Sequence, residues 1–128
     1  MGHQVLVWWT IGGRDLSEKH RRQIDAAEPG GVGASVFSVW EVAMLVSKKR
    51  LAMSHSPHDW LNRLPSIPTL HLLPATPQIL IDSTQLPGTF HGDPADRIIV
   101  ATARAHDLTL LTTDEKILVY EHVKSSGP

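Results

Sequence analysis

The sequence predicts one three-layer α/β domain with a mainly parallel central sheet. Short apolar segments alternate with helical patterns of about ten residues, the signature of βα units. No repeat, low-complexity tract or interdomain linker divides residues 1–128. A chain of 128 residues also suffices to bury one core of its own. Crossovers between parallel strands are expected to be right-handed.

The elements follow in order. The run 5–9 (VLVWW) is apolar throughout, so its period fits either a short strand or the first turns of a buried helix. Gly12 and Gly13 end it. Residues 17–28 are rich in helix formers, and Pro29, Gly30 and Gly31 stop them. Residues 32–37 form a strand candidate. Residues 38–50 read as a helix in which Ser38 and Glu41 have capping-box spacing, and Lys48, Lys49 and Arg50 suit the negative end of the dipole. Ser56 and Pro57 open a short helix carrying Trp60, Leu61 and Leu64, which stops near Pro65. Residues 69–73 read as a strand. Thr76 and Pro77 open a helix running to Leu86.

The stretch 90–114 organises the rest. Asp93 caps a helix whose first residue is Pro94. Asp96 shares a helical stripe with Ile99 and Ala103, so it faces the core side, while Arg97 and Arg104 take a polar face. Residues 108–113 make a short apolar strand with Asp114 at its end. Residues 115–123 offer a short helix and a final strand, and 124–128 reads as a frayed tail.

Bulk properties narrow the chemistry. The formal net charge of −1 argues against broad coating of nucleic acid and leaves room for a local basic groove. The absence of cysteine excludes disulfides, thiolate nucleophiles and zinc–thiolate sites, and suits a reducing compartment. The eight histidines are scattered, with no His-x-x-x-His pair, so zinc hydrolysis is not indicated. No apolar run reaches the ~20 residues that span a bilayer, and no secretory signal opens the chain. A cytoplasmic protein without membrane contact is expected.

Three carboxylates then stand out: Glu41, Asp96 and Asp114. Helix capping or the helix dipole explains each singly. Jointly they fall where helices follow strands, at the C-terminal edge of a parallel sheet, which is where open α/β sheets bind ligands. Clustered carboxylates raise one another's pKa unless a cation lies between them. A hard divalent ion with oxygen ligands does this, and it activates water and stabilises a reacting phosphodiester.

On these residues the chain resembles a known family, the PIN-domain ribonucleases, especially the VapC-type toxins of type II toxin–antitoxin pairs. The resemblance covers residues 5–120. It rests on Val5-Leu-Val-Trp8-Trp9, on Ser38-Val-Trp-Glu41-Val-Ala-Met-Leu45, on Gly92-Asp93-Pro94-Ala95-Asp96-Arg97 with the apolar helix after it, and on Leu111-Thr-Thr-Asp114. It implies a Rossmann-like parallel sheet, Mg²⁺- or Mn²⁺-dependent cleavage of RNA, a cognate antitoxin that enters the active-site groove, and a homodimer. Glu41, Asp96 and Asp114 take the places of catalytic, metal-holding acids. Asp93 shapes the loop or supports the site from behind, and Thr112 or Thr113 orients a ligand. Lys48, Lys49, Arg50, Arg97 and the basic cluster at 19–22 are candidates for handling RNA phosphates. Trp8, Trp9, Trp40 and Trp60 are expected to pack in the core or a dimer rather than stack on bases. His91, just ahead of Gly92 and Asp93, is within reach of the site, although a loop histidine is more often exposed.

One departure stands against the pattern. The family begins with a central strand ending in an aspartate, and matching the tryptophans places Gly2 where that aspartate belongs. The first strand is apparently missing. Either an in-frame extension precedes Met1, or the chain is a degenerate copy without catalysis that acts as an antitoxin-binding module. A third possibility is that residues 5–9 serve as a substitute strand.

Overall fold

The structure is a computed structural model that describes residues 1–12, 15–27 and 30–128. Gly13, Glu28 and Pro29, expected to close the first two helical segments, lie outside the described residues.

The apolar run 5–9 is helical. Helix α1 spans His3–Ile11, with Gly2 extended ahead of it and Gly12 closing it at φ 77°. Val5, Leu6 and Val7 are all buried, and Trp8 and Trp9 pack against the same core. A helix enclosed on most sides shows no clear period, which is why the sequence left the choice open. With its backbone satisfied internally, this segment is no substitute strand.

Helix α2 (Glu18–Ala26) is capped by Ser17, whose Oγ accepts the His20 N–H at 3.0 Å. Gly31 follows at φ 84°, where a Cβ would stand 2.3 Å from the Thr69 carbonyl oxygen, so only glycine fits. Strand β1 (Val32–Ser35) runs straight into helix α3 (Val36–Ser47). The cap is therefore Ser35, which accepts from the Phe37 N–H, and not Ser38 as the capping-box spacing suggested. Ser38 lies buried in the first turn and donates to the Met1 carbonyl at 2.9 Å.

Next come helix α4 (Pro57–Arg63), a 3₁₀ turn (Leu64–Ser66), strand β2 (Leu70–Leu73) and helix α5 (Pro77–Ser83). Helix α6 (Pro94–Ala105), strand β3 (Leu110–Leu111), helix α7 (Glu115–Leu118) and strand β4 (Ser125–Ser126) complete the order. Ser56, Thr76 and Asp93 each cap a helix whose first residue is proline.

The tail is not frayed. Strand β4 pairs in parallel with β3, and the Ser126 carbonyl accepts from the Thr112 N–H at 3.1 Å. His20, fully buried, brings Nε2 to 2.9 Å from the same carbonyl, and Gln23 donates to Ser126 Oγ. These α2 side chains hold the C-terminus in the sheet.

The strands form two separate parallel pairs, β1 with β2 and β3 with β4. Met1 and Gly2 clip them together: the Met1 amine donates to the Gly33 carbonyl at 3.1 Å, and the Gly2 N–H donates to the Leu111 carbonyl at 2.9 Å. Two residues therefore stand where a central strand would run. Beyond them a cavity of about 270 Å³ remains between β1 and β3, lined in part by Val32, Gly33, Ile99, Thr102 and Leu110. Burial without a counter-charge pushes the Met1 amine down to a pKa of about 5.

Helix α1 packs on α3, α3 on α6, and α6 on α5. One core forms around α1 with Ala34, Val42, Trp60 and Leu64; a second forms around α6 with Ile79, Leu110, Ile117 and Tyr120. Trp60 meets the expectation of core packing and donates its indole N–H to Thr10 Oγ1. Trp40 lies outside the core, 52% exposed. Among the described residues, no helix is long and apolar enough to cross a membrane.

Candidate metal centre

Four elements bring the acids together. Helix α3 supplies Glu41, the start of α6 supplies Asp96, the end of β3 leads to Asp114, and α1 begins alongside them. The cavity they share has a volume of about 240 Å³ and is lined by Gly2, His3, Glu41, Asp96, Thr112 and Asp114 among others.

Because the cap of α3 is Ser35, Glu41 sits in the second turn and caps nothing. It is 8% exposed, and its buried Oε1 has no hydrogen-bond partner; the His3 Nδ1 approaches it at 3.5 Å without hydrogen-bond alignment. Leaving such an atom unpaired is costly, so its placement calls for a ligand.

Asp96 owes its position to the cap of its helix. Asp93 Oδ1 accepts the Asp96 N–H at 3.0 Å and fixes the first turn. The Asp96 side chain, 15% exposed, is then free of capping duty. Burial, reinforced by the charges of Glu41, Asp93 and Asp114, pushes its pKa up to about 7.

Asp114 caps α7, accepting the Lys116 N–H through Oδ1, while its own N–H donates to Thr112 Oγ1 at 3.0 Å. Capping uses one carboxylate oxygen and leaves the other to the cavity. Thr112, buried, orients Asp114 through this backbone contact, and Thr113 hydroxyl donates to the Gln4 side chain at the rim. Asp93 remains an exposed cap.

The basic candidates separate. Arg97 is committed to the protein: Nε donates to the Ser83 carbonyl at 2.8 Å, and one terminal nitrogen donates to the carbonyls of Phe90 and His91. It ties the end of α5 and the loop before Asp93 to α6. Arg97→Ala is expected to lower unfolding free energy by about 1.5–3 kcal/mol, because three part-buried carbonyls lose a charged donor; urea denaturation measures it. Lys48, Lys49 and Arg50 are exposed just beyond α3, about two turns after Glu41. In the 19–22 cluster Lys19, Arg21 and Arg22 are exposed, and His20 belongs to the core.

One histidine, His3, escaped the sequence reading, and a second, His91, comes nearer the acids than a loop residue usually does. His3, in the first turn of α1, flanks Glu41. His91 is half-buried, with Nε2 3.3 Å from Asp96 Oδ2. No local pattern marks either, because their reach depends on how α1 and the 88–93 loop pack.

Carboxylates gathered at a parallel sheet's C-terminal edge, on this order of helices, define a class, and comparison with known proteins agrees. The chain belongs to the PIN-domain family, whose model matches residues 4–123. It is 31% identical over 118 residues to Ribonuclease VapC22 of Mycobacterium tuberculosis, covering 92% of this chain and 88% of the relative. Its fold is similar to that in the crystal structure of VapBC2 from Rickettsia felis bound to a promoter DNA fragment, with TM-score 0.69, 15% identity and coverage of 99% of this chain and 96% of that one. It is also similar to a toxin–antitoxin complex from Klebsiella pneumoniae, with TM-score 0.65, 20% identity and coverage of 95% and 92%. The Rossmann-like α/β expectation holds.

Proposed function

We propose that this single domain is a divalent-metal-dependent endoribonuclease, a toxin of the VapC kind, acting in the cytoplasm and held in check by a cognate antitoxin. The observation that carries the reading is the convergence of Glu41, Asp96 and Asp114 on one cavity, with a buried carboxylate oxygen on Glu41 left unpartnered. The 31% identity to a named ribonuclease supports RNA as the substrate. Solved relatives described as toxin–antitoxin complexes support a protein partner. On the outer side of α3, Val36 and Trp40 lie one turn apart and are exposed, an apolar pair suited to the antitoxin or to a homodimer.

The donor set suits a hard ion. Carboxylate oxygens bind Mg²⁺ or Mn²⁺, and a cation among them would offset the burial and mutual repulsion that raise the pKa of Asp96. Glu41, Asp96 and Asp114 would hold the ion directly or through water. Bound there, it supplies Lewis-acid activation of water and offsets charge on the phosphodiester. The protein's part is positional. Asp93 and Thr112 fix the backbones that carry Asp96 and Asp114, α3 buries Glu41, and Lys48, Lys49 and Arg50 offer charge to flanking RNA phosphates.

The test is cleavage of labelled single-stranded RNA with Mg²⁺ or Mn²⁺. EDTA is expected to stop it, and Glu41→Gln to slow it by ~10²-fold or more, the scale of a lost metal contribution. Cleavage unaffected by Glu41→Gln overturns the metal role of these acids. A second reading rests on Gly2, which brings no carboxylate to the cavity: a binding module of the same fold without catalysis. It predicts antitoxin binding with no cleavage at any metal concentration.

A further inference from the structure

We propose that His91 is a ligand of the metal: its Nε2 joins Asp96 and Asp114 in a mixed nitrogen–oxygen site that favours imidazole-binding first-row ions over Mg²⁺. The inference rests on the acidic centre proposed above and adds a residue and a metal preference to it.

Among the described residues, one group of three side chains brings potential ligand atoms within 4.8 Å of one another, and it is His91, Asp96 and Asp114. The spacing suits a single ion. Ligand atoms about 2.1 Å from an octahedral centre stand about 3.0 Å apart at adjacent positions and about 4.2 Å when opposite. His91 Nε2 and Asp96 Oδ2 are 3.3 Å apart, close to the spacing of adjacent ligands.

Burial points the same way. His91 Nε2 is buried with no hydrogen-bond partner, since the approach to Asp96 lacks hydrogen-bond alignment. Glu41 Oε1, also unpartnered and on a residue 8% exposed, lines the same acidic cavity outside the group of three. An unpartnered imidazole nitrogen within ligand range of two carboxylates is a donor set that suits a first-row cation.

The loop holds the ring in place. Phe90 stacks on it with centroids 4.3 Å apart, and Arg97 grips the carbonyls of both residues. The other ring nitrogen is weakly engaged: Nδ1 accepts the Asp93 N–H at 3.4 Å. Ligation through Nε2 moves the ring proton to Nδ1 and gives up only that long contact. His3 does not compete for the role, because its Nδ1 meets Glu41 at 3.5 Å and it stands outside the group of three.

The metal preference follows from ligand type. Mg²⁺ binds oxygen donors, whereas imidazole raises affinity along the first-row series.

The experiment uses the full chain with Mn²⁺ and Co²⁺. Electron spin-echo spectroscopy of the Mn²⁺ complex is expected to show nitrogen coupling from a directly bound imidazole. His91→Leu is expected to abolish that coupling and to weaken Co²⁺ binding by about tenfold or more, while Mg²⁺ binding changes by about twofold or less. Thermal unfolding of the metal-free variant checks that it folds. Mn²⁺ binding that is lost in Asp96→Asn but shows no nitrogen coupling overturns the role of His91 and leaves the acidic centre standing. Coupling that persists in His91→Leu assigns the nitrogen elsewhere and also overturns it. Failure of the unaltered chain to bind Mn²⁺ overturns both readings.

Discussion

Asp96→Asn is expected to stop RNA cleavage and, in the same molecule, to make the metal-free protein more stable at pH 8. The first effect follows from losing an anionic ligand, about 10²–10³-fold in rate if several kcal/mol of charge stabilisation depend on it. The second follows from the carboxyl's environment. Its folded pKa of about 7 exceeds its ordinary value of 3.8, so between those values the folded state holds a proton that the unfolded state has released. Stability contributed by this group is present below about pH 4 and is lost as pH rises towards 7. Above pH 7 the ionised carboxylate is a burden of ~2 kcal/mol, discounted for the solvent that reaches it. Asparagine removes the burden and is expected to raise the midpoint in EDTA by roughly 5–10 °C at pH 8. The Met1 amine pulls oppositely. Depressed from 8.0 to about 5, it makes stability rise with pH across that window. The two slopes offset each other between pH 5 and 7 in the unaltered chain, and Asp96→Asn exposes the amine's slope alone. Unfolding from pH 5 to 9 in EDTA measures both; a variant less stable at pH 8 contradicts the account.

Gly2→Asp is expected to strengthen Mg²⁺ binding by about tenfold or more, because affinity at such sites follows the charge and number of oxygen ligands. The backbone has room for it. A Cβ on Gly2 would lie 3.4 Å from Thr112 Oγ1, an ordinary contact, and Gly2 already lines the acidic cavity. Aspartate is also a good N-cap, and Gly2 occupies that position of α1 with no side chain to serve it. Without metal, a fourth carboxylate works against folding by pressing further on Asp96. With metal, the sign reverses. Calorimetric titration with Mg²⁺ and unfolding with and without the ion separate the two effects. Cleavage that appears only in Gly2→Asp would favour the binding-module reading for the parent chain.

Much of this was legible before the structure. Serine, threonine or aspartate followed by proline marked three helix starts, because a cap and a preset φ are local properties. The stripe through Asp96, Ile99 and Ala103 faced inward as its period required. What escaped depends on distant packing. Residues 5–9 carry no period because nearly every side of the helix is covered. The cap of α3 moved from Ser38 to Ser35 because strand passes into helix with no loop between. Strand β4 is two serines, with no apolar pattern to announce it, and it exists because α2 holds Ser126 from the side. His91 reaches the acids only after Arg97 has folded its loop back.

The Met1–Gly2 clip also sets how the two halves are joined. It reaches each strand pair through one backbone contact, the Met1 nitrogen to the Gly33 carbonyl and the Gly2 N–H to the Leu111 carbonyl. The Gly2 amide hydrogen exchanges with solvent only when that contact opens. Its exchange rate therefore reports how often the two halves part, and a single amide serves as a gauge of breathing at the centre of the molecule.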